Sequence, residues 1–350
     1  RDMITRAQFV TMLKRLAIGY MTPTATYTEK TVNGSLMAGI GGISLDNMTI
    51  NGNLFLSDGV GQGDITLNGT TVTGSVIVRG TGPNTLKISG GSNIGEAIFV
   101  NPNNAVRMVV DERSTVKKTL VSDAVGDVTL TGNIGDLTVS TGKAPVKLLE
   151  ASAGDVLLTS RFAEVNIDTK SKVDTIAVGK DAAASKVVMG GKASSMNIAA
   201  PEVDVSVKGT LDTLTYSSDG RDSVLSLDKG CKIKELHLDA DKLDLSVSGD
   251  FSLISLAGED CSVKFTSGAT VARLDIEGDG SEVDVASGAY VKRVYIDADD
   301  IDVSGKGSVD KIQVDGGDYI AVSVPKASIY NKNGKHVTVG KITVGRGNTV

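Results

Sequence analysis

The stretch Val283-Asp-Val285, Gly288, Val291-Lys-Arg-Val294-Tyr-Ile296 is answered 18 residues later by Ile301-Asp-Val303, Gly305, Val309-Asp-Lys-Ile312-Gln-Val314. Apolar and polar residues alternate over short runs, the two-residue period of a strand with one buried face. Glycine and small polar residues stand between the runs, where the chain must turn. Valine and isoleucine suit a pleated, half-buried surface. Each unit therefore reads as strand, turn, strand.

The same grammar extends backwards through the column Ile134, Ala153, Val173, Ala193, Leu211, Ile233, Phe251, Val271, Val291 and Val309, in steps of 18 to 22 residues. Nearer the start, Ile50, Val72, Ile94 and Val116 recur every 22 residues, as do Leu54, Val76, Ile98 and Leu120. A third column reads Leu56, Val78 and Val100, with Ser122 interrupting it. A strand repeat of about 20 residues without helical connections predicts an all-β fold, a single-stranded parallel β-helix (β-solenoid) of about 14 rungs. A propeller needs about 40 or more residues per blade, and sandwich strands do not hold one residue column in register over ten units.

The composition agrees. Among 350 residues there are 41 Gly, 6 Pro, no Trp and only 13 Phe and Tyr. Stacked Val, Ile, Leu and Ala fill a narrow coil that large rings would overfill, leaving Phe251 and Phe265 for rungs with small neighbours. A hydrophobic content of 40% supports a core. The net charge of −6 has the wrong sign for neutralising phosphates, so nucleic acid is excluded as a partner. No apolar run is long enough for a transmembrane segment. Two cysteines, Cys231 and Cys261, in different columns, predict no bridge between them, and two histidines, His237 and His336, complete a poor catalytic inventory.

Thr5 and Gln8 are spaced as a capping box, followed by Phe9, Val10, Leu13, Leu16 and Ala17 at helical intervals. The expected organisation is a short N-terminal α-helix or cap over 1–19, a linker over 20–32, 22-residue rungs over 33–125, and rungs of 18–22 residues over 126–350. A seam is expected near 125. The chain opens at Arg1 without a charged and apolar leader, so upstream sequence is expected in the full protein.

The run Ile4-Thr5-Arg6-Ala7-Gln8-Phe9-Val10-Thr11-Met12-Leu13 resembles the second half of an S-layer homology (SLH) motif, with Gln8 where the hallmark has Glu. Asn53 to Gly80 is similar to the β-rich repeats that often follow such motifs. The resemblance implies a bacterial cell-surface protein, extracellular or in the cell wall, with Thr5 and Arg6 as candidates for binding secondary cell-wall polysaccharide. A plain helical cap on the first rung is the other reading of the same residues.

Three places beyond the second strand of successive units stand Asp181, Pro201, Asp219, Asp241, Glu259, Asp279 and Asp299. Stacked carboxylates about 5 Å apart repel by roughly 1 kcal/mol per pair in water. Two readings relieve this: a solvated, solubilising face, or Ca2+ held by Asp239, Asp241, Asp279, Asp297, Asp299 and Asp300. Arg273, Arg293 and Lys311 form a basic column elsewhere. No nucleophile elbow, P-loop or dinucleotide turn occurs, and no long insertion builds a cleft. The expectation is a non-enzymatic structural protein whose partner is itself. The strand-like end Ile342-Thr-Val344, lacking an evident cap, suggests head-to-tail assembly into a filament or surface layer. A wall-anchored adhesin or glycan-binding module is the alternative, with a polysaccharide lyase third.

Overall fold

The computed structural model describes residues 11, 17–28, 30–81, 85–100, 104–217, 220–228, 230–325 and 327–330. The chain is nearly all β, with parallel strands stacked as a β-solenoid of about 15 turns. It divides into two compact units, Arg1–Val173 and Asp174–Val350. The expected N-terminal helix with Thr5 and Arg6, the C-terminal strand Ile342-Thr-Val344, and Asp219 and His336 lie outside the described residues.

In the first unit the earliest rungs carry three short strand segments, which merge further along into a short and a long strand and then into the single strands Val128–Val139 and Val146–Leu158. One ladder stacks Ile43, Ile65, Leu86, Met108, Leu130, Leu148 and Ile167 in parallel register. Another stacks Leu36, Leu54, Val76, Ala97, Thr119, Leu137 and Val156. All of these side chains are buried. Each fully buried Val, Leu or Ile contributes about 1.5–3 kcal/mol, and each parallel pairing supplies the backbone partners that a lone rung lacks. The step shortens from 22 residues (Ala97 to Thr119) to 18 (Thr119 to Leu137) within this unit.

The second unit repeats the scheme. Met196, Leu214, Leu236, Ile254, Leu274, Val294, Ile312 and Ile329 form one continuous inward ladder. Val247, Phe265 and Val285 stack in another.

Three expectations are corrected. The stretch 20–32 is not a linker: Gly19–Met21, Thr26–Thr28 and Thr31–Val32 pair in parallel with strands of the next rung. Ile98 and Leu120 do not continue the column of Leu54 and Val76. A one-residue irregularity between Ile94 and Glu96 turns Ala97 inward instead, so Leu56, Val78, Phe99 and Val121 stack without interruption. One residue of slip exchanges the faces of a strand, and it moves Ile98 and Leu120 to the outside. The core also takes rings. Phe99, Tyr216 and Phe265 are fully buried and Phe251 nearly so, with Val above and below Phe99 and Phe265.

Candidate functional site

The corner that follows each long strand is the most regular feature of the repeat. Phe162 in the first unit, and Ala184, Glu202, Asp222, Lys242, Asp260, Gly280, Asp300 and Tyr319 in the second, all have φ between 54° and 70°. This left-handed backbone costs a non-glycine residue of order 1 kcal/mol or more. The stack over-determines it. The N–H of Glu202, Lys242, Asp260, Gly280 and Asp300 each donates to the carbonyl one residue before the matching corner of the next rung, at 2.8–3.1 Å. Two residues before the corner the side chain is small, as at Ala182, Ala200, Gly220, Ala240, Gly258, Gly278 and Ala298. A Cβ on Gly278 would run into the carbonyl oxygen of Gly258.

From Asp241 onward, at Asp241, Glu259, Asp279 and Asp299, the acidic column occupies the position between the small residue and the left-handed one; Asp181 falls outside it, before Ala182. Asp241 Oδ1 accepts the N–H of Glu259 at 2.9 Å; Asp279 Oδ1 accepts that of Asp299 at 2.7 Å; Asp299 Oδ1 accepts that of Asp318 at 2.7 Å. Each carboxylate thus anchors the next rung's backbone through a charge-assisted bond. The six proposed calcium ligands, Asp239, Asp241, Asp279, Asp297, Asp299 and Asp300, do not converge. Among the described residues no group of three or more His, Cys, Asp or Glu side chains is placed to hold a metal ion. One oxygen each of Asp241, Asp279 and Asp299 is taken up by a backbone N–H of the next rung.

Inward hydroxyls recur at two turns of the rung: Ser92 and Ser114 stand in the turn that precedes the long strand, and Ser223 stands immediately after the left-handed corner that follows it. Ser92 Oγ accepts the Thr70 N–H at 2.9 Å, Ser114 Oγ the Ser92 N–H at 3.1 Å, and Ser223 Oγ the Val203 N–H at 3.1 Å. Cys261 lies in the column of Ser223, its thiol 3.3 Å from the Ala240 carbonyl, while Cys231 lies in the turn before the long strand Lys232–Leu238; both are unbridged. Burial, aided by Asp228 near Cys231, pushes both thiols above their ordinary value, so neither is a ready thiolate. His237 faces outward with Nε2 3.7 Å from a Glu235 carboxylate oxygen.

Some outward charges pair across neighbouring rungs. Lys143 meets Asp123 at 2.8 Å and Lys264 meets Asp284 at 3.2 Å, and Lys147–Asp127 and Lys170–Glu150 are further pairs. In the basic column Arg293 and Lys311 are ladder partners. Arg273 is engaged by Asp275 at 2.7 Å and stacks 4.6 Å from the centre of the Tyr295 ring.

One outward column differs in kind. Tyr20, Met37, Phe55, Ile77, Ile98, Leu120, Thr138 and Leu157 are successive ladder partners on a single outer face of the first unit. Tyr20 is 62% exposed and Leu157 37%; the residues between are half-buried by their neighbours. The equivalent position in the second unit reads Asn197, Thr215, His237, Ser255, Asp275, Tyr295 and Gln313. Beside the stripe run Asn53, Ser75, Glu96, Lys118, Asp136 and Asp155, and a shallow open groove joins Glu96, Lys118, Leu120, Asp136, Thr138 and Leu157. Sequence reading missed this stripe because it assigned Ile98 and Leu120 to the core. The irregularity at Gly95, where four residues separate Val72 from Val76 but three separate Ile94 from Ala97, was the available signal.

Among the described residues no helix is long and apolar enough to cross a membrane. Comparison with known proteins brings no relative to this geometry: no family model, no curated protein and no solved structure matches the chain.

Proposed function

We propose that the chain is a structural, non-enzymatic protein of the bacterial cell exterior that self-assembles into a filament or surface layer. One observation carries this reading. Polar groups at the turns, the carboxylates of Asp241, Asp279 and Asp299 and the hydroxyls of Ser92, Ser114 and Ser223, are bonded to the backbone of adjacent rungs. Side chains that a catalyst would aim at a substrate are here spent on stiffness. The likeness of Ile4 to Leu13 to an S-layer homology motif supports the surface location, with secondary wall polysaccharide as a further partner through Thr5 and Arg6. Negative-stain electron microscopy of the purified chain tests the proposal: ordered polymers are expected, and single particles alone at every concentration would refute it. The adhesin reading predicts instead retention of single particles on immobilised glycans.

A further inference from the structure

The apolar stripe of the first unit is self-complementary, and we propose that a second copy of this chain docks on it face to face, related by a two-fold axis parallel to the strands. The inference rests on the self-assembly reading and names its contact. Such an axis reverses the order of rungs while keeping each column opposite itself. Placed between the rungs of Ile98 and Leu120, it sets Ile98 against the partner's Leu120, Ile77 against the partner's Thr138, and Phe55 against the partner's Leu157.

Charge favours that placement, which opposes Glu96 to Lys118 without opposing like charges in the same column. In the flanking column, Glu96 then faces the partner's Lys118, Ser75 the partner's Asp136, and Asn53 the partner's Asp155, so no like charges meet. An axis one rung-spacing further along would set Glu96 against the partner's Asp155, and an axis through the Lys118 rung would set that lysine against itself. Lys118 is exposed and makes no ion pair among the described residues, leaving its charge available. Glu96 is held in place by the Ser75 hydroxyl at 2.8 Å. Size agrees too. Six rungs at about 4.8 Å, each presenting some five residues at about 3.3 Å, offer roughly 480 Å² per copy. About 1,000 Å² in total is the lower end of specific interfaces. An apolar centre with a charged rim is the usual anatomy of such a contact.

The test uses the full chain and four proteins: wild type, Ile98→Glu, Glu96→Lys, and the exchange Glu96→Lys with Lys118→Glu. Sedimentation equilibrium gives the dimer dissociation constant, and circular dichroism checks that each protein stays folded, since all three positions point outward. Ile98→Glu is expected to weaken the dimer by about 100-fold or more. Glu96→Lys alone, which places two like-charge contacts in the interface, weakens it by about tenfold or more, and the double exchange restores it. An exchange variant as weak as the single one overturns the two-fold arrangement. Assemblies indifferent to Ile98→Glu overturn the stripe as the contact but leave self-assembly standing. A wild-type chain that is monomeric throughout, or that binds only glycan through this face, overturns both.

Discussion

Replacing Asp299 separates the two ways a corner carboxylate can act. Its Oδ1 accepts the Asp318 N–H at 2.7 Å, while its own N–H donates to Asp279 Oδ1 at 2.7 Å. Asp299→Asn and Asp299→Ala both remove the charge, and with it the repulsion from the carboxylates one rung above and below. At about 5 Å in water that relief is worth at most about 1 kcal/mol per neighbour, reduced further by salt. Only the alanine also removes the acceptor. The difference between the variants therefore isolates the rung-to-rung bond, and for an exposed acceptor we expect asparagine to be more stable than alanine by about 1 kcal/mol. That corresponds to roughly 2–4 °C in melting temperature for a unit of this size. Urea unfolding followed by circular dichroism measures it, with and without Ca2+. Equal stability of the two variants would refute the architectural role. A calcium-dependent rise in the wild type, lost in both variants, would instead restore the metal-site reading.

Other outcomes follow from the buried groups. The Tyr216 hydroxyl is fully buried with no hydrogen-bond partner among the described residues, and burial raises its pKa well beyond the ordinary range. Tyr216→Phe should raise stability by about 1 kcal/mol; a loss on unfolding measurements would mean that the hydroxyl is satisfied. Ser92→Ala strands the Thr70 N–H in the interior and should cost about 1–3 kcal/mol, and an unchanged urea midpoint would contradict that. The Ser114 hydroxyl, opposed by partial desolvation and helped by the N–H groups of Gly90, Arg113 and Ser114, holds Asp111 below its ordinary 3.8. With the folded pKa depressed, the stabilisation is complete above about pH 4 and is lost as pH falls through the lowered value. Melting temperatures of wild type and Asp111→Asn should converge as pH drops from about 5 to about 2; a constant gap would exclude the linkage.

Much of the fold was legible because its determinants are local and repeated. The alternation at Val283-Asp-Val285 and the column from Ile134 to Val309 marked parallel rungs, and every member of that column is buried. Less was legible where a single residue alters the phase. Skipping one residue near Gly95 exchanges inside and outside for Ile98 and Ala97, and pattern matching at a fixed step followed the wrong face. The rung at Gly19–Val32 escaped because its strands are two or three residues long, too short for periodicity to register. At the corners the acidic column was visible, but its meaning lay in its flanks: a small residue before it and a buried one two places after, as in Gly278-Asp279-Gly280-Ser281 and Ala298-Asp299-Asp300-Ile301. That context ties the carboxylate to backbone rather than to a cation. A fixed-step column alone does not distinguish a core stripe from an outer one; the shortened spacing from Ile94 to Ala97 is the local mark that the register changes there.

Cross-linking across the proposed two-fold tests most directly whether these molecules work by meeting one another. Phe55 and Leu157 stand five rungs apart in one chain, about 24 Å at the spacing of parallel strands, too far for an intrachain disulfide. The two-fold brings each opposite the other in the partner. A chain carrying Phe55→Cys and Leu157→Cys, with the buried Cys231 and Cys261 retained, should be joined into a covalent dimer by a short bis-maleimide, which spans facing sheets about 10 Å apart but not two positions five rungs apart, while either single variant should not. Failure of the double variant to cross-link in concentrated, associated protein would contradict the account.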